Sequence, residues 1–303
     1  MAGKQDIDFT YTTLDRIFRM SIGETADFSA AMYNGDFSMT LDEAQRAKHE
    51  FMERELNIKK GQRVLDMGSG WGPFLNYISR KGVKAVGLTL SDGQYNACKK
   101  NGLEVYIKDV RSVKPGDYGI FDAVVSVGAF EHFCSIEEYK EGKQEQVYKD
   151  FFKTVSNILP PGGRFYLQTM SFEKNMIPLE EIDINADKNS DAYILALCRQ
   201  HLPGSWLPYG SDMIVKCAEP YFKLINISSG RLDYIETIRV WRKMLRRFSI
   251  KKYALYLKFL FDSLKSNKLR HLVNVFRISP LMVCLEREIM GHYRIVFEKK
   301  PAS

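Results

Sequence analysis

Short apolar runs rich in β-branched residues alternate with helical stretches along the middle of the chain. The apolar runs predict strands near 62–67, 83–90, 104–108, 121–127 and 163–170, and the stretches between them predict helices near 74–82, 92–101 and 138–158. Two later runs, 222–228 and 292–298, predict strands on either side of a basic helical region. Because strands that alternate with helices build a parallel sheet covered on both faces, the pattern predicts an α/β fold.

The first predicted strand runs directly into three alternating glycines, Gly68, Gly70 and Gly72. Residues without a Cβ let the backbone approach a ligand closely and leave main-chain N–H groups free at the start of the next helix. The spacing is G-x-G-x-G, not the G-x-G-x-x-G of dinucleotide-binding loops, and it suits a smaller ligand without a pyrophosphate. A glycine triplet alone is a weak signal, because an ordinary strand turn has the same composition.

Motifs around the loop strengthen the interpretation that it binds a cofactor. They are MTLDEAQRAK (39–48), LNIKKGQ (56–62), VGLTLSDGQ (86–94), SVGAFEHF (126–133) and LPGSWLP (202–208). Together, and in this order, they closely resemble the cyclopropane-fatty-acid and mycolic-acid cyclopropane synthases, which are S-adenosylmethionine-dependent C-methyltransferases. The resemblance extends from about residue 29 to the C-terminus.

The resemblance implies a class I S-adenosylmethionine methyltransferase fold. This fold is a Rossmann-like seven-stranded sheet with an antiparallel last strand and helical insertions that form a substrate lid. We expect an N-terminal helical segment, 1–60, that covers the cofactor site. A methyltransferase domain, 61–303, would follow, with helical insertions at about 174–220 and 233–290.

S-adenosyl-L-methionine is therefore the expected cofactor. Asp66 ends the first strand, where its carboxylate could attract the cofactor's ammonium group or merely cap the turn. In the family variant seen here, the polar neutral group around Thr89 and Gln94 takes the ribose, and Asp109 is placed for the adenine amino group unless it is an ordinary loop residue. The predicted cofactor-binding residues are Ser29, Ala30, Asp66, Gly68, Ser69, Gly70, Trp71, Gly72, Thr89, Leu90, Gln94, Asp109, Val110 and Val127.

The resemblance also identifies candidate catalytic residues. In the family, an alkene attacks the sulfonium methyl, and a bicarbonate held by a glutamate, a tyrosine, a histidine, a cysteine and a backbone carbonyl takes a proton. Glu131, Tyr234 and the Val127 carbonyl match three of these groups. Ala31 replaces the cysteine, and no histidine occurs between His132 and His201. Either the chain methylates without closing a ring, or Glu131 itself acts as the base on a different nucleophile.

Two further residues each allow two interpretations. His132 could be a second general base or a packed structural histidine. Cys284 aligns with a cysteine often assigned to the family's active site, but it lies in an apolar helix and fits a small core residue better. The five scattered cysteines include no CxxC pair and indicate neither a disulfide framework nor a metal site.

The leading prediction is an enzyme that methylates carbon in an unsaturated fatty-acyl or other lipid chain, by cyclopropanation or methyl-branching. The enzyme alternative is an N- or O-methyltransferase of an apolar small molecule with Glu131 as general base. A non-catalytic cofactor-binding or membrane-surface protein is the third interpretation. The N-terminus lacks the apolar core of a signal peptide, and no run of about 18 apolar residues occurs, which together predict a cytoplasmic protein, either free or peripheral at the membrane.

The positive charge is concentrated in one segment. Between Arg239 and His271 there are eleven lysines and arginines and one acid, whereas the whole chain has a net charge of +7. Aromatic and aliphatic residues are interleaved with the charges, as in amphipathic helices with basic faces. The segment 239–270 is either a solvated face or a docking surface for anionic membrane or an acyl carrier protein, and no motif indicates nucleic-acid binding.

If this segment docks on anionic membrane, vesicle binding should increase with anionic lipid content and decrease steeply with salt. Each basic residue near such a surface contributes about 1 kcal/mol, which screening removes. Replacing Arg242, Arg246 and Lys251 with Glu should weaken co-flotation with vesicles and leave cofactor affinity intact. Absence of co-flotation at low salt would leave a carrier-protein surface or a solvated face.

Overall fold

The computed structural model describes residues 27–114, 116–199, 204–246, 257 and 280–301. Within these ranges seven strands form one mixed sheet. The strands are β1 (Arg63–Met67), β2 (Lys84–Thr89), β3 (Glu104–Ile107), β4 (Ala123–Val127), β5 (Arg164–Phe172), β6 (Phe222–Ser229) and β7 (Met290–Lys299). Their order across the sheet is β3-β2-β1-β4-β5-β7-β6.

Helices follow most of the strands and cover both faces of the sheet. The helices are α1 (Leu41–Glu55), α2 (Pro73–Ser79), α3 (Asp92–Lys100), α4 (Ile136–Lys140), α5 (Gln144–Asn157), α6 (Asp191–Arg199), α7 (Gly210–Ala218), α8 (Arg231–Arg246) and α9 (Pro280–Glu286). Short 3-10 turns occur at Val110–Ser112, Phe130–His132 and Leu179–Glu181.

The sheet confirms the predicted α/β fold. The first five strands pair in parallel, and β7 is antiparallel to both of its neighbours, β5 and β6. The predicted strands agree with the observed ones to within two residues at each end. The agreement is close because the buried strands of a parallel sheet are continuous apolar runs between polar turns.

The prediction of one helix over 138–158 is wrong, because two helices occupy this region. Ser135 and Glu138 form a capping box that starts α4 at Ile136, earlier than predicted. Gly142 has a φ of 70°, a left-handed conformation that ends a helix readily. A second helix, α5, then begins at Gln144.

The densest packing lies on the face of the sheet covered by α5 and α7, where aromatic rings interlock. Phe152 on α5 is fully buried, and its ring lies 5.5 Å from Phe297 on β7, 6.2 Å from Phe165 on β5 and 6.2 Å from Phe222 on β6, centroid to centroid. These contacts join one helix to three strands of the sheet.

A separate apolar cluster lies beyond the carboxyl ends of β5 and the amino end of β7. It combines α6, α8 and α9 with Trp206 and with Ala31 and Tyr33 of the irregular segment before α1. By contrast, α7 lies within the predicted insertion at 174–220 but packs on α5 against the sheet. Residues 1–26 of the predicted cofactor cover, and 247–256 and 258–279 of the second insertion, lie outside the described ranges.

None of the helices within the described ranges combines the length and the apolar character that a membrane span requires.

Replacing Phe152 with Ala should lower the free energy of unfolding by about 3–5 kcal/mol, because the cavity would open between α5 and three strands. Chemical denaturation followed by circular dichroism measures the change. Phe37→Ala is the matched control, since Phe37 is 47% exposed and its loss should change stability little. A cost below about 1 kcal/mol for Phe152→Ala would contradict the assignment of this cluster as the main core.

Candidate active site

The loop after β1 is held against the end of β2. The backbone N–H groups of Gly68 and Ser69 both donate to the Leu88 carbonyl, at 3.0 and 2.9 Å. A Cβ at Gly68 would lie 2.5 Å from the Ala129 Cβ, and a Cβ at Gly72 would lie 2.5 Å from Leu103 Cδ1. Close packing therefore excludes side chains at these two positions.

Gly70 differs from the other two glycines because its missing side chain faces open space. Its φ is 54°, and a Cβ there would have only the Gln94 amide nitrogen within reach, at 4.0 Å. The open space is a cleft at the carboxyl edge of the sheet, where ligands of open α/β folds bind. The predicted cofactor-binding residues that line the cleft are Ser29, Gly68, Ser69, Gly70, Trp71, Thr89, Leu90, Gln94, Val110 and Val127.

Gln94 is oriented towards this cleft by its neighbours. The Thr89 hydroxyl donates to Gln94 Oε1 at 2.7 Å, and the Gln94 N–H donates to the Ser91 hydroxyl at 3.4 Å where α3 begins. The amide NH₂ of Gln94 is thus the group turned towards Gly70. A side-chain amide in this place can donate to a ligand hydroxyl.

Four predicted cofactor-binding residues, Ala30, Asp66, Gly72 and Asp109, lie outside the cleft lining. Asp109 caps the 3-10 turn that follows β3, and its Oδ1 accepts from the Arg111 N–H at 2.9 Å. Its neighbour Val110 supplies the apolar surface of the cleft on that side. A direct role for Asp109 stays a prediction.

Asp66 lies just behind the glycine loop and is almost completely buried, at 4% exposed. Its Oδ1 has no hydrogen-bond partner among the described residues. Burial, with a smaller contribution from the nearby Asp27 carboxylate, raises the pKa of Asp66 to about 7, and the Lys48 ammonium opposes the increase. A buried carboxylate with an unpaired oxygen beside a ligand cleft fits a ligand that carries a cationic group.

Glu131 is the second buried carboxylate at this edge of the sheet. It lies in the 3-10 turn after β4, and its Oε1 accepts from the Met170 N–H at 3.0 Å. Its Oε2 has no partner within the described part of the chain. Burial raises the pKa of Glu131 to about 7, although hydrogen bonds to the carboxylate oppose the increase.

Tyr234 approaches the same region from α8. Its ring centroid lies 5.0 Å from that of His292 on β7. His292 is paired with Met170 in the β5–β7 ladder, and Met170 is the residue whose N–H binds Glu131. The fold therefore brings the predicted Glu131 and Tyr234 to one end of the β5–β7 pair.

His292 also lies in this region, although no local sequence motif indicates it. The residue is 3% exposed, and burial lowers its pKa well below the ordinary value, with the Arg294 and Lys48 charges acting in the same direction. Only its pairing with Met170 places it near Glu131, and that pairing is not apparent from local sequence. Asp27, Phe28 and Lys108 also line the cleft without having been predicted.

His132 lines the cleft, and its Nδ1 lies 3.3 Å from the Ser205 hydroxyl. Burial lowers the pKa of His132 to about 4, so the imidazole is neutral at pH 7. Cys284 is fully buried in the apolar cluster around α9, and a hydrogen bond with Cys198 together with burial raises the pKa of its thiol far above the ordinary value. These surroundings are those of a core thiol, and catalytic roles for both residues stay predictions.

Among the described residues, no group of three or more His, Cys, Asp or Glu side chains is placed to hold a metal ion.

The sheet order and the cleft at its carboxyl edge define a class I S-adenosylmethionine-dependent methyltransferase fold. A family model described as mycolic acid cyclopropane synthetase matches residues 2–275. The chain belongs to this family. It is an S-adenosylmethionine-dependent enzyme, and the interpretation as a non-catalytic protein is set aside.

Individual relatives agree with this assignment. The chain is 29% identical to the hydroxymycolate synthase MmaA4 of Mycobacterium bovis over 247 residues, which is 80% of this chain and 78% of that protein. It is 30% identical to the cyclopropane mycolic acid synthase 3 of Mycobacterium tuberculosis, over 78% of this chain and 79% of that protein. The structure of the mycolic acid cyclopropane synthase CmaA1 complexed with SAH and CTAB shares the fold, with a TM-score of 0.76, 23% identity and 98% coverage of both chains.

Replacing Gly70 with Val should abolish binding of S-adenosylmethionine and of S-adenosylhomocysteine, because the side chain would fill the open space of the cleft. Titration calorimetry measures the affinity. Gly102→Val is the matched control. Gly102 also has a positive φ, 72°, and nothing lies within 4 Å of its Cβ position, but it lies in the α3–β3 turn away from the cleft. The backbone strain is thereby matched, and unchanged affinity in Gly70→Val would contradict the cofactor site.

Proposed function

We propose that this enzyme methylates a carbon of an unsaturated lipid chain and leaves a methyl branch without closing a ring. Glu131 carries the proposal, because it is a buried carboxylate with one unpaired oxygen, in the turn after β4 and next to His132, which lines the cofactor cleft. A base in this place can take the proton that an alkene must lose after it has accepted a methyl group. S-adenosylmethionine, when bound, supplies the electrophilic methyl group.

Three residues in or beside the cleft have separate roles in this proposal. Asp66 attracts the ammonium of the cofactor's amino-acid end, and the Gln94 amide donates to a ribose hydroxyl. Gly70 allows the backbone to approach the ligand. The observations in favour are the unpaired oxygen of Asp66, the orientation of Gln94 by Thr89 and the open space at Gly70.

The surroundings of Ala31 favour methyl-branching over ring closure. Ala31 replaces a cysteine that the family resemblance assigns to the anion site, and its side chain is a methyl group. Its N–H donates to the Thr237 hydroxyl at 3.0 Å, and its carbonyl accepts from the Arg294 guanidinium at 2.7 Å. Because Ala31 cannot contribute a polar group, a free anion would be held less well here and Glu131 is the better base.

The apolar cluster formed by α6, α8 and α9 is the proposed site for the acceptor chain. It contains Met170, Phe172, Trp206 and Trp241, which are buried and uncharged, so an acceptor chain that entered here would meet only apolar surface. The predicted insertions at 174–220 and 233–290 would act as the lid over this site, with the exception of α7. The solved structure of CmaA1 contains CTAB together with SAH, which supports an apolar acceptor in the family.

Docking on anionic membrane or on an acyl carrier protein through 239–270 remains a proposal. Most of this segment lies outside the described ranges. Of the described part, Arg239 pairs with Glu286 at 3.1 Å and Arg242 contacts Met282 on α9. These contacts attach α8 to α9. Docking itself is tested by the vesicle experiment described above.

Product analysis tests the reaction. The enzyme is incubated with S-adenosylmethionine and unsaturated phospholipids, and the acyl chains are analysed by mass spectrometry before and after catalytic hydrogenation. Methyl-branching adds one CH₂ unit in mass and retains a double bond that takes up hydrogen. A product of the same mass that resists hydrogenation contains a ring and would refute the proposed outcome.

Glu131→Gln should retain cofactor affinity and lose at least about 100-fold in kcat, since the amide cannot take a proton. In the unmodified enzyme the ionised form of Glu131 is the active one, so kcat should fall as the pH drops through about 7, the value to which burial raises its pKa. Glu137→Gln on the exposed surface of α4 is the control. An unchanged rate in Glu131→Gln would make this residue structural.

A further inference from the structure

A lysine is buried beside the cofactor cleft. Lys48 on α1 is 1% exposed, and its ammonium donates to three oxygens: Asp27 Oδ2 at 2.8 Å, Ser29 Oγ at 2.6 Å and Gln45 Oε1 at 2.5 Å. The three donors of an ammonium group are thus all satisfied. His49 adds a second contact to Asp27, with its Nε2 2.9 Å from the same Oδ2.

This cluster forms one wall of the cleft. Asp27 and Ser29 both line the cleft, and they belong to the irregular segment that precedes α1. Gln45 Nε2 donates to the backbone carbonyls of Asp27 and Ser29, at 3.1 and 2.9 Å. Because Gln45, Lys48 and His49 are on the same face of α1, one helix face holds both the backbone and the side chains of this wall.

Stability alone does not explain the cluster. A buried ion pair is often no more stable than apolar residues of the same volume. A segment with no helix or strand of its own, however, has few other ways to be held at one distance from a ligand. The ion pair therefore fits the requirement for a fixed wall.

The cluster also acts on the Asp66 carboxylate at a distance. Besides burial, the Asp27 charge raises the pKa of Asp66 and the Lys48 charge lowers it. Other titratable groups in this neighbourhood are His49 on α1, Cys98 on α3, Tyr166 on β5, and His292 and Arg294 on β7. Asp27 and Lys48 are the two whose charges act on Asp66, and neither belongs to the glycine loop.

We propose that Lys48 and Asp27 are positioning residues for the cofactor: they fix the wall formed by residues 27–29 and balance the charge next to Asp66. The inference rests on the proposed role of Asp66 as the partner of the cofactor's ammonium. Neither residue touches the reacting carbon. Their effect is on the affinity for the cofactor and on the pH range in which it binds.

The test measures the affinity for S-adenosylhomocysteine by titration calorimetry between about pH 5.5 and 9, a range that includes the pKa of about 7 to which burial raises Asp66. The ligand's ammonium needs the ionised form of Asp66, so the affinity should decrease as the pH drops below the pKa of Asp66. This decrease is the acid limb of the affinity profile. Asp27→Asn removes a negative charge, lowers the pKa of Asp66 and should move the acid limb to lower pH. Lys48→Met removes a positive charge and should move this limb to higher pH. Both variants should bind several-fold more weakly at pH 7.5.

Three controls make the result decisive. Lys81→Met removes a lysine that pairs with Glu53 on the surface, and His49→Gln removes the other titratable contact of Asp27; neither should reproduce the opposite shifts. Thermal melts identify unfolded variants. If Lys48→Met does not fold, an acid shift in Asp27→Asn that is largely cancelled in the paired variant Asp27→Asn/Lys48→Met still tests the inference.

Acid limbs that move in opposite directions support the proposal. Equal weakening at all pH values, with no shift of the limb, would overturn it and leave the ion pair a purely structural element. If the unmodified protein shows no acid limb while Gly70→Val still abolishes binding, the cofactor cleft stands and only the inference about Lys48 and Asp27 fails. If Gly70→Val binds normally, the proposed cofactor site itself fails.

Discussion

The insertion of β7 between β5 and β6 is the constraint on which the acceptor side of this enzyme depends. It gives β5 an antiparallel partner over its whole length, from Arg164 to Phe172. That pairing places His292 opposite Met170, the residue whose N–H donates to Glu131. It also places the Arg294 guanidinium where it donates to the Ala31 carbonyl and forms an ion pair with Asp233 at 2.9 Å. The segment before α1, the helix α8 and the turn after β4 that contains Glu131 are thereby attached to one pair of strands.

Two carboxylates at the carboxyl edge of the sheet are kept in surroundings that disfavour their charge. Asp66 ends β1 and Glu131 follows β4, and these two strands are neighbours in the sheet. Burial raises both pKa values to about 7, yet each carboxylate retains an oxygen without a partner among the described residues. Burying a carboxylate with an unpaired oxygen lowers the stability of the fold. Such groups are typical of functional sites, where an ionisable group must change its charge or its partner during the reaction. The same edge thus holds the carboxylate that we propose for the cofactor and the carboxylate that we propose for the acceptor.

Different physical constraints exclude a side chain at each of the three glycines of the loop. We expected Gly68, Gly70 and Gly72 to share one role, the close approach of a cofactor. In the structure, Gly68 makes room for Ala129 and Gly72 for Leu103, and only Gly70 faces the cleft. Similarly, Asp109 was chosen for a ligand and caps a turn, while the two ends of the predicted helix over 138–158 belong to two helices. Local motifs identified where the loop lies, but the neighbours of each residue depend on packing.

The sequence by itself determined the strands, the class of fold, the cofactor loop and the candidates Glu131 and Tyr234, because these depend on local patterns: apolar runs, glycine spacing and short motifs in a fixed order. The tertiary structure alone decided which distant residues meet. His292 reaches the region of Glu131 through a strand register, and Lys48 reaches the cofactor cleft through Asp27, which lies in a segment without periodicity. Such contacts depend on pairing and burial across the whole chain, and the charges of the groups that meet there set the pKa values on which the chemistry depends.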